Sequence, residues 1–238
     1  SHGEFHWGYA SGVVASVLDG VDVVLAERTQ TFDHADITYF DPLMADVERR
    51  LGRRPRFGAL DAAFDAFYIY DYFDQAGGFA AVPFVAKGGV TTRAFDGDGR
   101  PLCPAEIPMP LAGTFINRTS PVVHERGRYT CPLVGLADAC PVSHKAWSKG
   151  GCSITMATAP GARIRYQLDR DGDVFKAVYR QRTACERINS QALDLGIERP
   201  RLRNQQAIAH LNTLTYVLID LRARHRLVEQ RADNQQAA

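Results

Sequence analysis

Between residues 87 and 175 the chain concentrates eleven of its twenty glycines and eight of its twelve prolines. Proline fixes φ and lacks an N–H, so it interrupts both helix interiors and central strands, and interior glycine costs backbone entropy. Long helices are thereby excluded from this stretch. Short strands fit at 112–116, 122–124, 129–131 and 163–168. The flanks read differently, with helical and strand periodicities and few breaks. The implied organisation is a core formed by residues 1–87 and 171–238, interrupted by a β-rich, cysteine-containing insertion over 88–170.

The first flank can be read element by element. Residues 5–18, with Val13, Val14 and Val17, have the composition of a strand, and Asp19-Gly20 is a tight hairpin signal before a return strand from Val21 to about Arg28. Ile37, Phe40, Met44, Val47 and Leu51 recur at helical spacing, and Gly52 stops them. A short strand at 56–60 delivers Asp61, a helix follows over 64–75, and an apolar strand over 79–86 contains Pro83. The order β-β-α-β-α-β predicts an α/β mixed sheet covered by helices, with parallel crossovers. Open α/β sheets place their sites beyond the C-terminal strand ends, where Asp61 falls.

The second flank predicts one helix over 179–195, ended by Gly196, and a last helix over 204–227. In the last helix Ala207, Ile208, Leu211, Leu214, Leu218 and Leu221 form an apolar stripe, with a frayed tail from Glu229. On the first of these helices Tyr179, Arg182 and Glu186 are spaced three and four apart and share a face. Residues 176–238 carry a net +5 against −4 for residues 1–175, a distribution compatible with nucleic acid.

Tyr179-x2-Arg182-x3-Glu186, followed by Arg187 and Asn189, resembles the signature of bacterial insertion-sequence transposases of the DDE type. Leu60-Asp61-Ala62-Ala63-Phe64-Asp65 looks like that family's second-aspartate motif, and the order of elements around it is similar. The resemblance covers most of the chain. It implies an RNase H-like core with a β-rich insertion before the helix bearing the third acid. It implies Mg²⁺- or Mn²⁺-dependent phosphodiester hydrolysis and strand transfer, with Asp61 and Glu186 as metal-binding catalytic acids. Tyr179, Arg182 and Arg187 would hold DNA phosphates. The implied partners are double-stranded DNA, as transposon ends and target, and a second copy in a homodimer.

Two features depart from the pattern. Leu193 stands where the signature carries a lysine. The first catalytic aspartate belongs on a strand before Gly8-Tyr9, and the chain, opening at Ser1, is expected to be a fragment that lacks it and is inactive alone. The rival reading is a non-catalytic DNA-binding protein, a decayed or domesticated transposase; a third is another RNase H-like nuclease. Each acid also has an ordinary role open to it. Asp61 can cap the turn that follows, and Glu186 can pair with Arg182 one turn away.

The cysteines form a second constellation. Cys103, Cys131, Cys140 and Cys152 lie in the insertion and Cys185 apart from it. Four thiolates suffice for a closed structural Zn²⁺ site, with His124 and His144 as substitutes for one of them. No Cys-x2-Cys pair occurs, and buried free thiols are the alternative. The odd cysteine count and the lack of a signal peptide favour a reducing bacterial cytoplasm, nucleoid-associated when on DNA. No run of eighteen apolar residues occurs, so no membrane span is expected.

Overall fold

The computed structural model describes residues 8–84, 92–136, 139–142, 150–198 and 200–236. Strands β1 (Tyr9–Leu18) and β2 (Val21–Thr31) form the expected antiparallel hairpin. Asp19 and Gly20 both take positive φ, 48° and 78°, as a primed turn requires. Val14 faces Ala26 but Ala15 faces Val24, so Leu25 is one residue too many, a bulge. The bulge reverses the alternation of β2. Ala26 enters one apolar cluster and Val24 another on the opposite side of the hairpin.

The first cluster is built on α1 (Phe40–Leu51), which follows a 3-10 turn over Asp36–Tyr39 and ends at Gly52 in the left-handed region. Phe40, Leu43, Met44 and Val47 are buried there. Next come β3 (Phe57–Ala59), a 3-10 turn at Ala62–Phe64, α2 (Phe67–Asp74) and β4 (Phe79–Ala81). β3 and β4 pair in parallel. Gly58 lies so close under the Phe73 ring that a Cβ there would overlap it. The helix expected over 64–75 is broken because Ala66 is extended, at φ −131° and ψ 143°. The break lets Asp65 turn inward to the ion pair described below.

The order β-β-α-β-α-β is therefore present, and the class is mixed α/β. The single mixed sheet is not formed among the described residues. β1–β2 and β3–β4 are separate two-stranded ladders, united by a shared apolar cluster on α1 rather than by strand pairing.

The glycine- and proline-rich stretch folds around an antiparallel sheet in the order β5 (Leu111–Asn117), β6 (His124–Thr130), β7 (Ser153–Ala157). The separate strands expected at 122–124 and 129–131 are replaced by one continuous strand, β6, which overlaps them only at His124 and at Tyr129–Thr130. The strand expected at 163–168 is instead helix α3 (Pro160–Gln167). Pro160 starts it, where a missing N–H is harmless. Gly161 lets α3 touch α2, since a Cβ would overlap the Phe67 carbonyl, and its N–H donates to the Asp71 carboxylate.

After α3 come α4 (Asp173–Tyr179), a 3-10 turn at Arg180–Arg182, α5 (Thr183–Asp194) and α6 (Gln205–Gln236). The helix expected over 179–195 is thus tightened near its start. Thr183 Oγ1 donates to the Arg180 carbonyl at 2.9 Å, a three-residue closure that suits a 3-10 turn. α6 is capped by Asn204, whose Oδ1 accepts from the Gln206 N–H at 2.9 Å, and the tail expected to fray from Glu229 is helical to Gln236.

The apolar stripe read on α6 holds at Ala207, Ile208 and Leu211, which are buried or half-buried, and is corrected beyond them. Leu214, Leu218 and Leu221 are 65, 39 and 55% exposed, while Ile208, Asn212, Thr215, Tyr216, Ile219 and Ala223 face inward. Polar anchors set this rotation. Asn212 Nδ2 donates to Ser11 Oγ at 3.0 Å and Thr29 Oγ1 at 2.9 Å. Asp220 Oδ1 accepts the Val24 N–H at 2.7 Å, beside the bulge. The hairpin face under α6 offers hydroxyls and a backbone donor, so it selects the helix face that can meet them. No described helix is long and apolar enough to cross a membrane.

Candidate functional site

The α4–turn–α5 segment runs past both ladders. α4 and the 3-10 turn lie against β3, and α5 lies against β1 and β2. Apolar packing fixes α5. Ile188 and Ala192 are buried with Val24, Tyr216 and Ile219, and this turns the opposite face outward.

That outer face carries the sequence constellation. Arg182 Nη2 donates to Glu186 Oε1 at 2.6 Å. The Arg182 guanidinium lies 5.7 Å from the Tyr179 ring centroid, and Tyr179 stacks on Phe175 at 5.8 Å and 17°. Tyr179, Arg182 and Glu186 are therefore contiguous. Arg187 points elsewhere. Its guanidinium grips Asp22 of β2 through two bonds of 2.6 Å. The arginine expected to meet phosphate beside Glu186 is thus engaged in tying α5 to the hairpin.

Asp61 follows β3, the strand against which the Arg180–Arg182 turn lies. Its Oδ1 accepts the Ala63 N–H at 2.8 Å and so caps the 3-10 turn. Asp61 and Glu186 are both exposed, and both make the ordinary structural contacts open to them. Neither is committed to a buried role. The exposure of both side chains leaves room for a hard cation, which takes carboxylate oxygens.

Asp65, four residues after Asp61, is the buried one. Its side chain is wholly buried and takes two bonds from Arg165, Nε to Oδ1 at 2.6 Å and Nη2 to Oδ2 at 2.5 Å. Tyr70 donates its hydroxyl proton to Asp65 Oδ1 at 2.9 Å. Arg170 Nη2 donates to that Tyr70 oxygen at 2.9 Å and Nε to the Val82 carbonyl at 2.9 Å. The Arg170 guanidinium also stacks over Phe84, 3.6 Å from its centroid. Burial and then the Asp65 carboxylate push the Tyr70 phenol far up, so it stays a donor. This network joins α2 to α3 across about a hundred residues of chain, and no local spacing announces it.

The four cysteines of the glycine- and proline-rich stretch converge. Cys103, Cys131, Cys140 and Cys152 line one cavity of about 10 Å³, with Pro104, Ala105, Ile107, Leu133 and Val142 filling the remaining wall. No disulfide joins them. Burial, then the neighbouring Cys131, Cys103 and Cys140, push the Cys152 thiol up. His124 is elsewhere, 4.5 Å from the Phe67 ring, and His144 lies outside the described residues. Cys185 is apart on α5, where burial pushes its thiol up. Among the described residues no three His, Cys, Asp or Glu side chains already stand in metal-ligating geometry.

Set against protein-family models, curated proteins and solved structures, the chain matches none.

Proposed function

We propose that the chain is the catalytic region of an insertion-sequence DDE transposase with an RNase H-like core, acting on element-end DNA. The observation that carries this is the path of the α4–turn–α5 segment. It passes from β3, the strand that leads into Asp61, to the β1–β2 hairpin, with Tyr179, Arg182 and Glu186 together on its outer face. Glu186 is exposed and Tyr179 and Arg182 are half-buried, while their helical neighbours Ile188 and Ala192 are buried.

Asp61 and Glu186 supply carboxylate oxygens, the donor type that Mg²⁺ takes. Mg²⁺ held there would neutralise charge on the attacking and leaving phosphodiester oxygens. The chain's own part is positional. Arg182, braced by Glu186 and the Tyr179 ring, offers a planar donor fork to a phosphate. A further oxygen ligand is required besides these two acids. Among the described residues β1 and β3 are each paired on one side alone, and such edges suit an additional strand bearing it.

A second reading has its own observation. Asp61 already caps a turn and Glu186 already pairs with Arg182. A decayed or domesticated DNA-binding protein would keep both acids for those structural reasons.

The test is a nicking and strand-transfer assay in Mg²⁺ or Mn²⁺, on duplexes carrying the DNA sequences that border the coding region on either side. Wild-type protein is compared with Asp61→Asn and Glu186→Gln, with folding checked by circular dichroism. Joined products lost in both variants support the transposase. Cleavage without joining assigns a nuclease instead, and DNA binding without cleavage assigns the non-catalytic reading. Arg182→Ala should flatten the slope of log affinity against log salt by about 0.9, one phosphate contact. An unchanged slope removes Arg182 from the DNA surface.

A further inference from the structure

The insertion is short of apolar core. Its own buried cluster consists of Met156, Ala157 and Ala162, with partly buried neighbours such as Phe95, Tyr129 and Ile154. Phe115 and Ile116 of β5 and Val134 and Leu136 beyond β6 are about half exposed or more. A stretch so rich in turns needs another source of order.

Four chain segments meet at the thiol-lined cavity. Cys103 opens a tight turn, accepting the Glu106 N–H at its carbonyl at 2.9 Å while its own N–H donates to the Ile107 carbonyl at 3.0 Å. Cys131 immediately follows β6 and Cys152 immediately precedes β7, and the Cys131 N–H donates to the Cys152 carbonyl at 2.8 Å. Cys140 comes from the loop between them. The Leu133 N–H donates to Cys131 Sγ at 3.4 Å, an amide-to-sulfur contact that orients the sulfur toward the cavity wall it shares with the other cysteines. Among the described residues the other lining side chains are apolar, with no carboxylate, lysine or arginine. The volume suits one small ion rather than an organic ligand.

We propose that Cys103, Cys131, Cys140 and Cys152 bind one structural Zn²⁺ as a closed tetrathiolate. The thiols ring the cavity without meeting at ligating distance, and binding would draw the sulfurs inward to about 2.3 Å from the ion. Each ligating thiol gives its proton to solvent and no electrons move. Zinc suits the donor set, since soft thiolates disfavour Mg²⁺ and four-coordinate sulfur is a zinc arrangement. The ion would clamp the start of β7 to the end of β6 and fasten the 103–107 turn onto both. This site is independent of the Asp61 and Glu186 reading and stands or falls separately.

The experiment is elemental analysis of protein purified under reducing conditions without chelator, followed by Co²⁺ substitution of the wild-type chain. The expected result is one zinc per chain. The cobalt form should give sulfur-to-metal charge-transfer bands and intense visible absorption of tetrahedral thiolate coordination. Cys131→Ser and Cys140→Ser should each lower zinc affinity at least tenfold, while Cys185→Ser keeps full occupancy, as should Asp61→Asn. Absence of zinc together with no uptake of Co²⁺ by the reduced wild-type protein overturns the proposal. So does zinc retained at full occupancy and affinity in both Cys131→Ser and Cys140→Ser. The cobalt spectrum needs no variant, so a misfolded mutant does not shield the idea.

Discussion

Replacing Asp65 with alanine should be among the most damaging single changes available to the chain. Its carboxylate is fully buried, and its partner Arg165 is only 15% exposed. The substitution removes two charge-assisted bonds and the Tyr70 contact, and leaves the Arg165 guanidinium uncompensated between α2 and α3. Breaking one side of a buried pair costs about 3–5 kcal/mol, because the remaining charge keeps its desolvation penalty. With a urea m-value of about 3 kcal/mol/M, the unfolding midpoint should fall by roughly 1–1.7 M. The instructive comparison is the double variant Asp65→Leu with Arg165→Met. It removes both charges, so its loss should be smaller than that of Asp65→Ala alone, despite two changes. Equilibrium unfolding followed by circular dichroism measures Asp65→Ala, the single variants Asp65→Leu and Arg165→Met, and the double variant. If the double variant loses the sum of the single losses, the argument from an orphaned charge is refuted and the pair acts as two independent packing groups.

Two further outcomes follow from the packing. Gly58→Ala should cost about 1–3 kcal/mol by urea unfolding, because its Cβ overlaps the buried Phe73 ring; a neutral result would mean that β3 does not lie on α2 as described. Asp220 is pushed above the ordinary carboxylate range, chiefly by burial, against the Val24 N–H and Arg50. The folded state therefore binds the proton more tightly than the unfolded chain, and stability falls as pH rises through the window just above ordinary carboxylate values. Asp220→Asn removes that slope, so its unfolding free energy relative to wild type should improve as pH rises through the window; a constant difference would refute the assignment.

The elements most legible in the sequence are those fixed by local chemistry. Asp19-Gly20 forces a primed turn, Gly52 ends α1, and the spacing of Phe40, Met44 and Val47 marks a buried helix face. Tyr179, Arg182 and Glu186 meet because their spacing is short-range. What was not legible depends on distant partners. The leucines of α6 form the stronger apolar stripe, yet Asn212 and Asp220 rotate the helix toward the hairpin's hydroxyls and the bulge N–H. Residues 163–168 alternate like a strand, yet Pro160 and the Gly161–Asp71 contact start a helix. The Asp65–Arg165 pair joins residues a hundred apart and leaves no local pattern.

The same distinction bears on how the insertion is held. Its edge strand β5 is exposed at all but its last residue, and its apolar cluster is small among the described residues. Its C-terminal side is secured on α2 by Arg165, Arg170 and the Gly161–Asp71 contact, all charged or polar and all directional. Its far side, at 103–107, 131–133 and 140, has no comparable anchor to the core among the described residues, and there the four thiols gather. An ion at that place would hold the 103–107 turn, the 140 loop and the ends of β6 and β7 to one another with four bonds, where the first end is held to α2 by two arginines. The two devices then act on different ends of the β5–β6–β7 sheet. Losing Arg165 should detach the sheet from α2 with the thiol cluster intact, and losing a thiol should loosen the 103–107 turn while α3 stays docked. Limited proteolysis separates these outcomes. Cleavage near 103–107 in Cys131→Ser with the α2–α3 contact still protected is the expected pattern, and simultaneous loss of both protections would show that the insertion melts as one unit.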